Sequence, residues 1–182
     1  MIEVARLELA EQASYEISKP DDRMGMRGRW VVEHIRNGEK IGEYAIPNLI
    51  TTAGKNHLLD VGFRAQTQIS AWYIGLVDNT SFTAFDVADT MASHAGWIEF
   101  SSGYSQSTRV AWSPTAAAAG SISNSTAAQF DMTASGTLKG IFVTSGSAKN
   151  GTTGTLWSGA AFSGTVPVSN GDQLKVTYTV SS

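Results

Sequence analysis

The run Asn48-Leu49-Ile50-Thr51-Thr52-Ala53-Gly54-Lys55-Asn56-His57-Leu58-Leu59-Asp60-Val61-Gly62-Phe63, continued after a short polar linker by Thr67-Gln68-Ile69-Ser70-Ala71-Trp72-Tyr73-Ile74-Gly75-Leu76-Val77, decides how this chain is read. Thr52 is placed to act as an N-cap, because its hydroxyl can accept a free amide of the first helical turn. Leu58 and Val61 then share one helical face, with Leu59 beside them. Gly62 can end the helix by entering the left-handed region without a Cβ clash. Gly54 lowers helix propensity, so the expectation is one short helix over residues 52–61, held by packing. After it, Trp72, Ile74 and Leu76 alternate with Tyr73, Gly75 and Val77. That is the period of a strand buried on one face and partly on the other. No other stretch pairs a helix with a strand; the rest reads as strands and turns.

Toward the N-terminus, residues 30–35 and 41–46 flank Asn37-Gly38, a strong two-residue hairpin signal. If that turn sets the register, Ile35 opposes Lys40 and His34 opposes Ile41. One face then holds Trp30, Val32, His34, Ile41, Glu43 and Ala45; the other holds Val31, Glu33, Ile35, Tyr44 and Ile46. Neither face is cleanly polar, so the hairpin is expected to need cover on both sides, one from its own domain and one from a partner chain. Residues 1–28 stand apart from this pattern. Ile2, Val4, Leu7 and Leu9 mix helical and strand periods, Pro20-Asp21-Asp22 breaks what precedes it, and Met24 and Met26 are adaptable thioethers in a glycine-containing run. The segment reads as a frayed terminus or as an arm that orders against a neighbouring subunit, with residues 29–182 forming one domain.

Toward the C-terminus, residues 78–96 form the longest loop-like segment, a length often used for binding. Asn79-Thr80-Ser81 is expected to turn, Phe82 and Phe85 to tuck the loop down, and residues 86–94 to make a short helical turn. Strands are expected at 97–100, 108–112, within 121–133 as one or two, at 137–145, 156–162 and 166–168. The last is the clearest: Leu174, Val176, Tyr178 and Val180 alternate with Lys175, Thr177 and Thr179 after the turn at Asn170-Gly171-Asp172. A one-residue slip would expose all four apolar side chains. Strands at this spacing with one helix predict a mainly β fold: an antiparallel β-sandwich, jelly-roll-like, with an N-terminal arm. No long internal repeat suggests a solenoid or propeller.

Composition bounds the function. A chain of 182 residues can bury about 70% of its unfolded surface in one core. The formal charge of −3 speaks against a protein that tracks nucleic-acid phosphates, although a local basic patch is possible around Arg23, Arg27 and Arg29. The absence of cysteine removes disulfides, thiolate nucleophiles and thiolate metal ligands. The start of the sequence lacks a secretory pattern, and no window approaches a membrane span. Charged residues make up 16%, against about 25% in typical soluble domains. The shortfall is filled by small residues, as in virion and extracellular β proteins.

The hairpin around Arg29-Trp30-Val31-Val32-Glu33, then Pro47-Asn48-Leu49-Ile50, Gly54-Lys55-Asn56-His57-Leu58-Leu59-Asp60 and Ala71-Trp72-Tyr73-Ile74-Gly75-Leu76, resembles a group of tailed-phage virion proteins. These are the small β-sandwich decoration, or cement, proteins that lie over the shell of the head. The resemblance runs from Arg29 to the C-terminus and implies synthesis in the host cytoplasm followed by assembly on the capsid exterior. The implied partners are the major capsid protein and further copies of the chain, as a dimer or trimer, with no nucleic acid and no membrane. Candidate contacts are Ile2, Val4, Leu7 and Leu9 in the arm, Trp30, Val32 and Tyr44 in the hairpin, and Phe82, Phe85 and His94 in the loop. A tail fibre or tip component, and a carbohydrate-binding β-sandwich module, remain as alternatives.

Signatures of catalysis are sparse. His34, His57 and His94 lie on a hairpin, a helix and a loop, with no spacing that suits a shared metal. Asp86 and Asp89 with His94 lack the alternating oxygen ligands of a calcium loop. No Gly-x-Ser-x-Gly elbow, paired glycosidase carboxylates or phosphate-cradling loop is evident. The expectation is a protein that is not an enzyme and takes no cofactor. Trp72, Trp97 and Trp112 are expected in the core; Trp30 and Trp157 could instead offer an aromatic platform to a sugar.

Overall fold

The structure, a computed structural model, describes residues 25–182. The candidate contacts Ile2, Val4, Leu7 and Leu9 fall outside the described residues. In chain order the elements are β1 (Arg27–Arg36), β2 (Glu39–Pro47), β3 (Leu49–Ile50), α1 (Thr52–Phe63), β4 (Trp72–Asp78), β5 (Val110–Trp112), β6 (Ser121–Ser123), β7 (Ala128–Asp131), β8 (Gly136–Thr144), β9 (Leu156–Val168) and β10 (Gln173–Ser181). They form two five-stranded antiparallel sheets. The first has the order β2-β1-β10-β6, and β7 joins the same edge of β10 below β6. The second has the order β3-β9-β8-β4-β5. The fold is therefore the mainly β, two-sheet arrangement with one helix that the strand spacing predicts.

The interior rows of the two sheets make the core. Leu174, Val176, Tyr178 and Val180 of β10 are all buried, as their alternation requires. Each such side chain contributes about 1.5–3 kcal/mol on burial, so the register of β10 is firmly fixed. They pack with Trp30 and Val32 of β1 and with Ile74, Leu76, Ile141 and Val143 of the second sheet. The second sheet is covered on its outer face as well. There the loop after β4 folds back, and Met91 and Trp97 bury Val77, Phe142 and Leu156 in a smaller cluster flanked by Phe82 and Phe85. That double cover explains why β4 is apolar on both faces.

The β1–β2 hairpin departs from the expected register. Asn37 and Gly38 both have positive φ, as the tight turn demands, and Ile35 does oppose Lys40. One step further the register shifts: His34 faces Gly42, and a bulge absorbs Ile41. Beyond the bulge every β2 side chain changes face. Tyr44 and Ile46 join Trp30 and Val32 on the inner side, opposite Val32 and Trp30 respectively. Ile41 is left half exposed, and the outer face carries Arg29, Val31, Glu33, Glu43 and Ala45. The apparent need for cover on both faces came from the unshifted register.

Other boundaries move for local reasons. The helix N-cap is Thr51, not Thr52: its Oγ1 accepts from the Gly54 amide at 3.0 Å. Gly62 does not end the helix, which runs to Phe63 and closes with Arg64 N–H donating to Asp60 O. Residues 86–94 hold turns rather than a helical turn, and residues 97–100 contribute only an isolated pairing of Glu99 with Val77. The two strands expected at 156–162 and 166–168 are one continuous β9. Of the tryptophans, Trp30, Trp97, Trp112 and Trp157 are buried, while Trp72 is only partly so.

Candidate functional site

Among the described residues, exposed apolar and cationic side chains gather around α1 and the start of β1. The helix is tied down at its first turn. Thr51 Oγ1 donates to the Leu156 carbonyl, and Gly54 lies directly on Trp157. A Cβ added at Gly54 would come within 2.7 Å of the Trp157 carbonyl oxygen, so only glycine allows this approach. Beyond that turn the helix meets the sandwich only loosely, with His57 edge-on to Trp72, and Gly54 is its only buried residue. Leu58 lies at its side, while Leu59 and Phe63, one turn apart, are 52% and 82% exposed. Lone exposed apolar residues are ordinary, but two bulky ones stacked on one helical face form a contiguous patch.

Two depressions flank this helix. One is an apolar slot of about 190 Å³ between α1 and the sandwich edge, lined by His57, Leu58, Val61, Trp72, Trp112 and Trp157. Its walls are fixed by aromatic edges: His57 against Trp72 at 6.0 Å and Trp72 against Trp157 at 6.1 Å. The other is a broader groove of about 780 Å³ over the beginning of β1, lined in part by Arg27, Arg29, Lys55, Ser121, Thr179 and Ser181. Met26 lines both.

Buried polar contacts hold this end of the molecule rigid. The Tyr178 hydroxyl accepts from Asn48 Nδ2 at 2.7 Å and Trp157 Nε1 at 2.8 Å, which leaves its own proton for Ser158 Oγ at 3.1 Å. Burial pushes its pKa up to about 12. Asn48 Oδ1 in turn accepts from the Gly28 amide, which fixes the first residues of β1 to the segment leading into α1. Trp30 stacks on the Tyr178 ring at 4.0 Å.

Two further ionic clusters brace other parts of the sandwich. Asp172 accepts from Arg36 through both carboxylate oxygens at 2.7 Å, from His34 Nε2 at 2.7 Å and from the Ser169 amide. The Arg36 hydrogen bonds, helped by His34 and Ser169, hold its carboxyl well below the usual range against the opposing effect of burial. Arg109, almost fully buried, grips Glu99 with two bonds and donates to the Gly146 and Gly151 carbonyls. Glu99 also accepts from the Asn150 amide. These clusters pin loops to strands.

The described candidate contacts scatter over different environments. Trp30 and Val32 are fully buried between the sheets, so neither presents a surface to a partner. Tyr44 is half-buried and meets Phe162 edge-on at 5.5 Å. Phe82 and Phe85 pack on one another and on the Trp97 cluster, and His94 stacks on Trp97 at 3.9 Å. The three histidines stand in three separate places. The sequence reading raised a basic patch that includes Arg27 and Arg29 but not Lys55, and it did not nominate Leu59 or Phe63 as contacts. The signal available was that α1 carries apolar residues at 58, 59, 61 and 63, more than one helical stripe can bury. The arrangement offers area and charge for contact with a macromolecule.

No protein-family model matches the chain, and no curated protein matches it in sequence.

Proposed function

We propose that the protein is a structural component of a tailed-phage virion, a head decoration protein that binds the capsid exterior and bridges neighbouring capsid subunits. The observation that carries this reading is the exposed Leu59–Phe63 face of α1, carried on a two-sheet β body. The resemblance to decoration proteins read in the sequence from Arg29 to the C-terminus supports it, and we read the sandwich as jelly-roll-like on the same ground. The mechanism is contact area. Each docked copy would bury apolar side chains worth about 1.5–3 kcal/mol apiece. Many copies acting together raise the energy needed to part adjacent subunits far beyond one contact.

The test is the copy number of the protein in purified particles of the phage that encodes it, with localisation by density. A high copy number on the outside of the head is the expected result. A handful of copies at the tail tip would transfer the protein to the tail-associated reading. Turnover or tight binding of a glycan by the purified chain would overturn both.

A further inference from the structure

We propose that Asn37 is a self-modification site, at which the folded chain converts its own asparagine to aspartate and isoaspartate faster than at its two other Asn-Gly pairs, Asn150-Gly151 and Asn170-Gly171. The chemistry needs only water and base. The Gly38 amide nitrogen, having given its proton to hydroxide, attacks Asn37 Cγ. The N–Cγ bond forms, the Cγ–Nδ2 bond breaks, and ammonia leaves with a proton from water. Water then opens the cyclic imide at one carbonyl or the other, giving aspartate or isoaspartate. Glycine after the asparagine favours this step, because it has no Cβ to hinder the approach. The three pairs share that advantage in sequence, and the fold distinguishes them.

Asn37-Gly38 is the least restrained of the three. It forms the tip of the β1–β2 hairpin, and residues 37–40 are all exposed. Among the described residues the Gly38 amide has no hydrogen-bond partner, and a Cβ built at Gly38 would meet nothing within 4 Å. For the nitrogen to swing onto the Asn37 side chain the turn must open, which parts the closing pair Arg36 and Glu39. Openings at an exposed turn are among the least costly in a folded protein. The other two glycine amides are occupied: Gly151 N–H donates to Ala148 O at 3.0 Å, and Gly171 N–H donates to Met132 O at 2.9 Å. Asn150 is held further, its amide donating to Glu99 and its Nδ2 to Ser101 Oγ, both at 2.7 Å. Gly171 precedes Asp172, which His34 and Arg36 grip. Conversion at Asn37 sets a carboxylate beside Arg36, and the isoaspartyl form adds a methylene to the main chain of a turn that has no slack. The inference does not rest on the virion reading; a protein that never met a phage head would show it equally.

The test uses the full-length protein, held at mildly alkaline pH and sampled over time. Each sample is digested at acidic pH, where the imide forms slowly, and its peptides are separated by isomer and weighed by mass spectrometry. The peptide holding Asn37 should convert at least about five-fold faster than those holding Asn150 and Asn170, since each of these must first break hydrogen bonds that Asn37-Gly38 lacks. A parallel incubation in concentrated urea removes the restraints, and the three rates should then agree within about two-fold. Equal rates at the three sites in the folded protein would overturn the proposal, as would faster conversion at Asn150 or Asn170. An equally strong preference for Asn37 in urea would overturn it too, since the neighbouring sequence and not the fold would then set the site.

Discussion

At the scale of single residues, tolerance is lowest where a side chain is the only one that fits. Gly54→Ala drives a methyl into the Trp157 carbonyl, an immovable neighbour. It is expected to cost about 1–3 kcal/mol despite the better helix propensity of alanine, read as a lower urea midpoint. Asp172 behaves differently. Its carboxyl titrates lower in the folded chain than the ordinary 3.8, so its stabilising effect is complete above that value and fades as the pH falls toward the folded one. Asp172→Asn should cost roughly 2–3 kcal/mol at neutral pH, because it removes the negative charge and replaces one of the two acceptor oxygens facing Arg36 and His34 with an NH2 donor. The gap between the variant and the parent in urea unfolding should narrow between about pH 5 and about pH 2; a constant gap would refute the assignment. None of this was legible in the sequence. His34 and Asp172 lie 138 residues apart and Asn48 and Tyr178 lie 130 apart, and nothing local marks either pair.

At the scale of elements, legibility depended on whether a period ran unbroken. β10 alternates without interruption, and its inner face was readable from that alternation alone. The β1–β2 hairpin was readable at its turn but not beyond it, because an Asn-Gly turn fixes the nearest pair and leaves a later bulge unannounced. The shifted register makes a sharp prediction. Ile46→Ala removes a buried side chain and should cost about 2–4 kcal/mol, whereas Ile41→Ala should change stability by no more than about 0.5 kcal/mol. The unshifted register leaves Ile41 and Ile46 on opposite faces that both need cover, so comparable losses would restore it. The helix was found in the right place, but the face it turns to solvent was not. Its apolar residues surround the axis, and periodicity could not choose which of them the sandwich covers.

At the scale of the whole molecule, stability and contact are separable. Leu59→Lys with Phe63→Lys alters only side chains that already face water, and the unfolding midpoint should move by less than about 0.5 kcal/mol. The same double variant should lose the capsid occupancy proposed above, measured by co-sedimentation with heads. The sheet order has a kinetic consequence of its own. β1 is held between β2, its neighbour in the chain, and β10, which begins more than a hundred residues later. The first hairpin can form early, yet Trp30 and Val32 of its inner row lack their lateral neighbours Tyr178 and Val176 until the most distant strand arrives beside them. Topologies with such remote pairings collapse to the native state in milliseconds to seconds or slower, and the waiting intermediate presents sticky edges meanwhile. Refolding yield should therefore drop steeply as protein concentration rises, a burden that falls on chaperones during high-level synthesis.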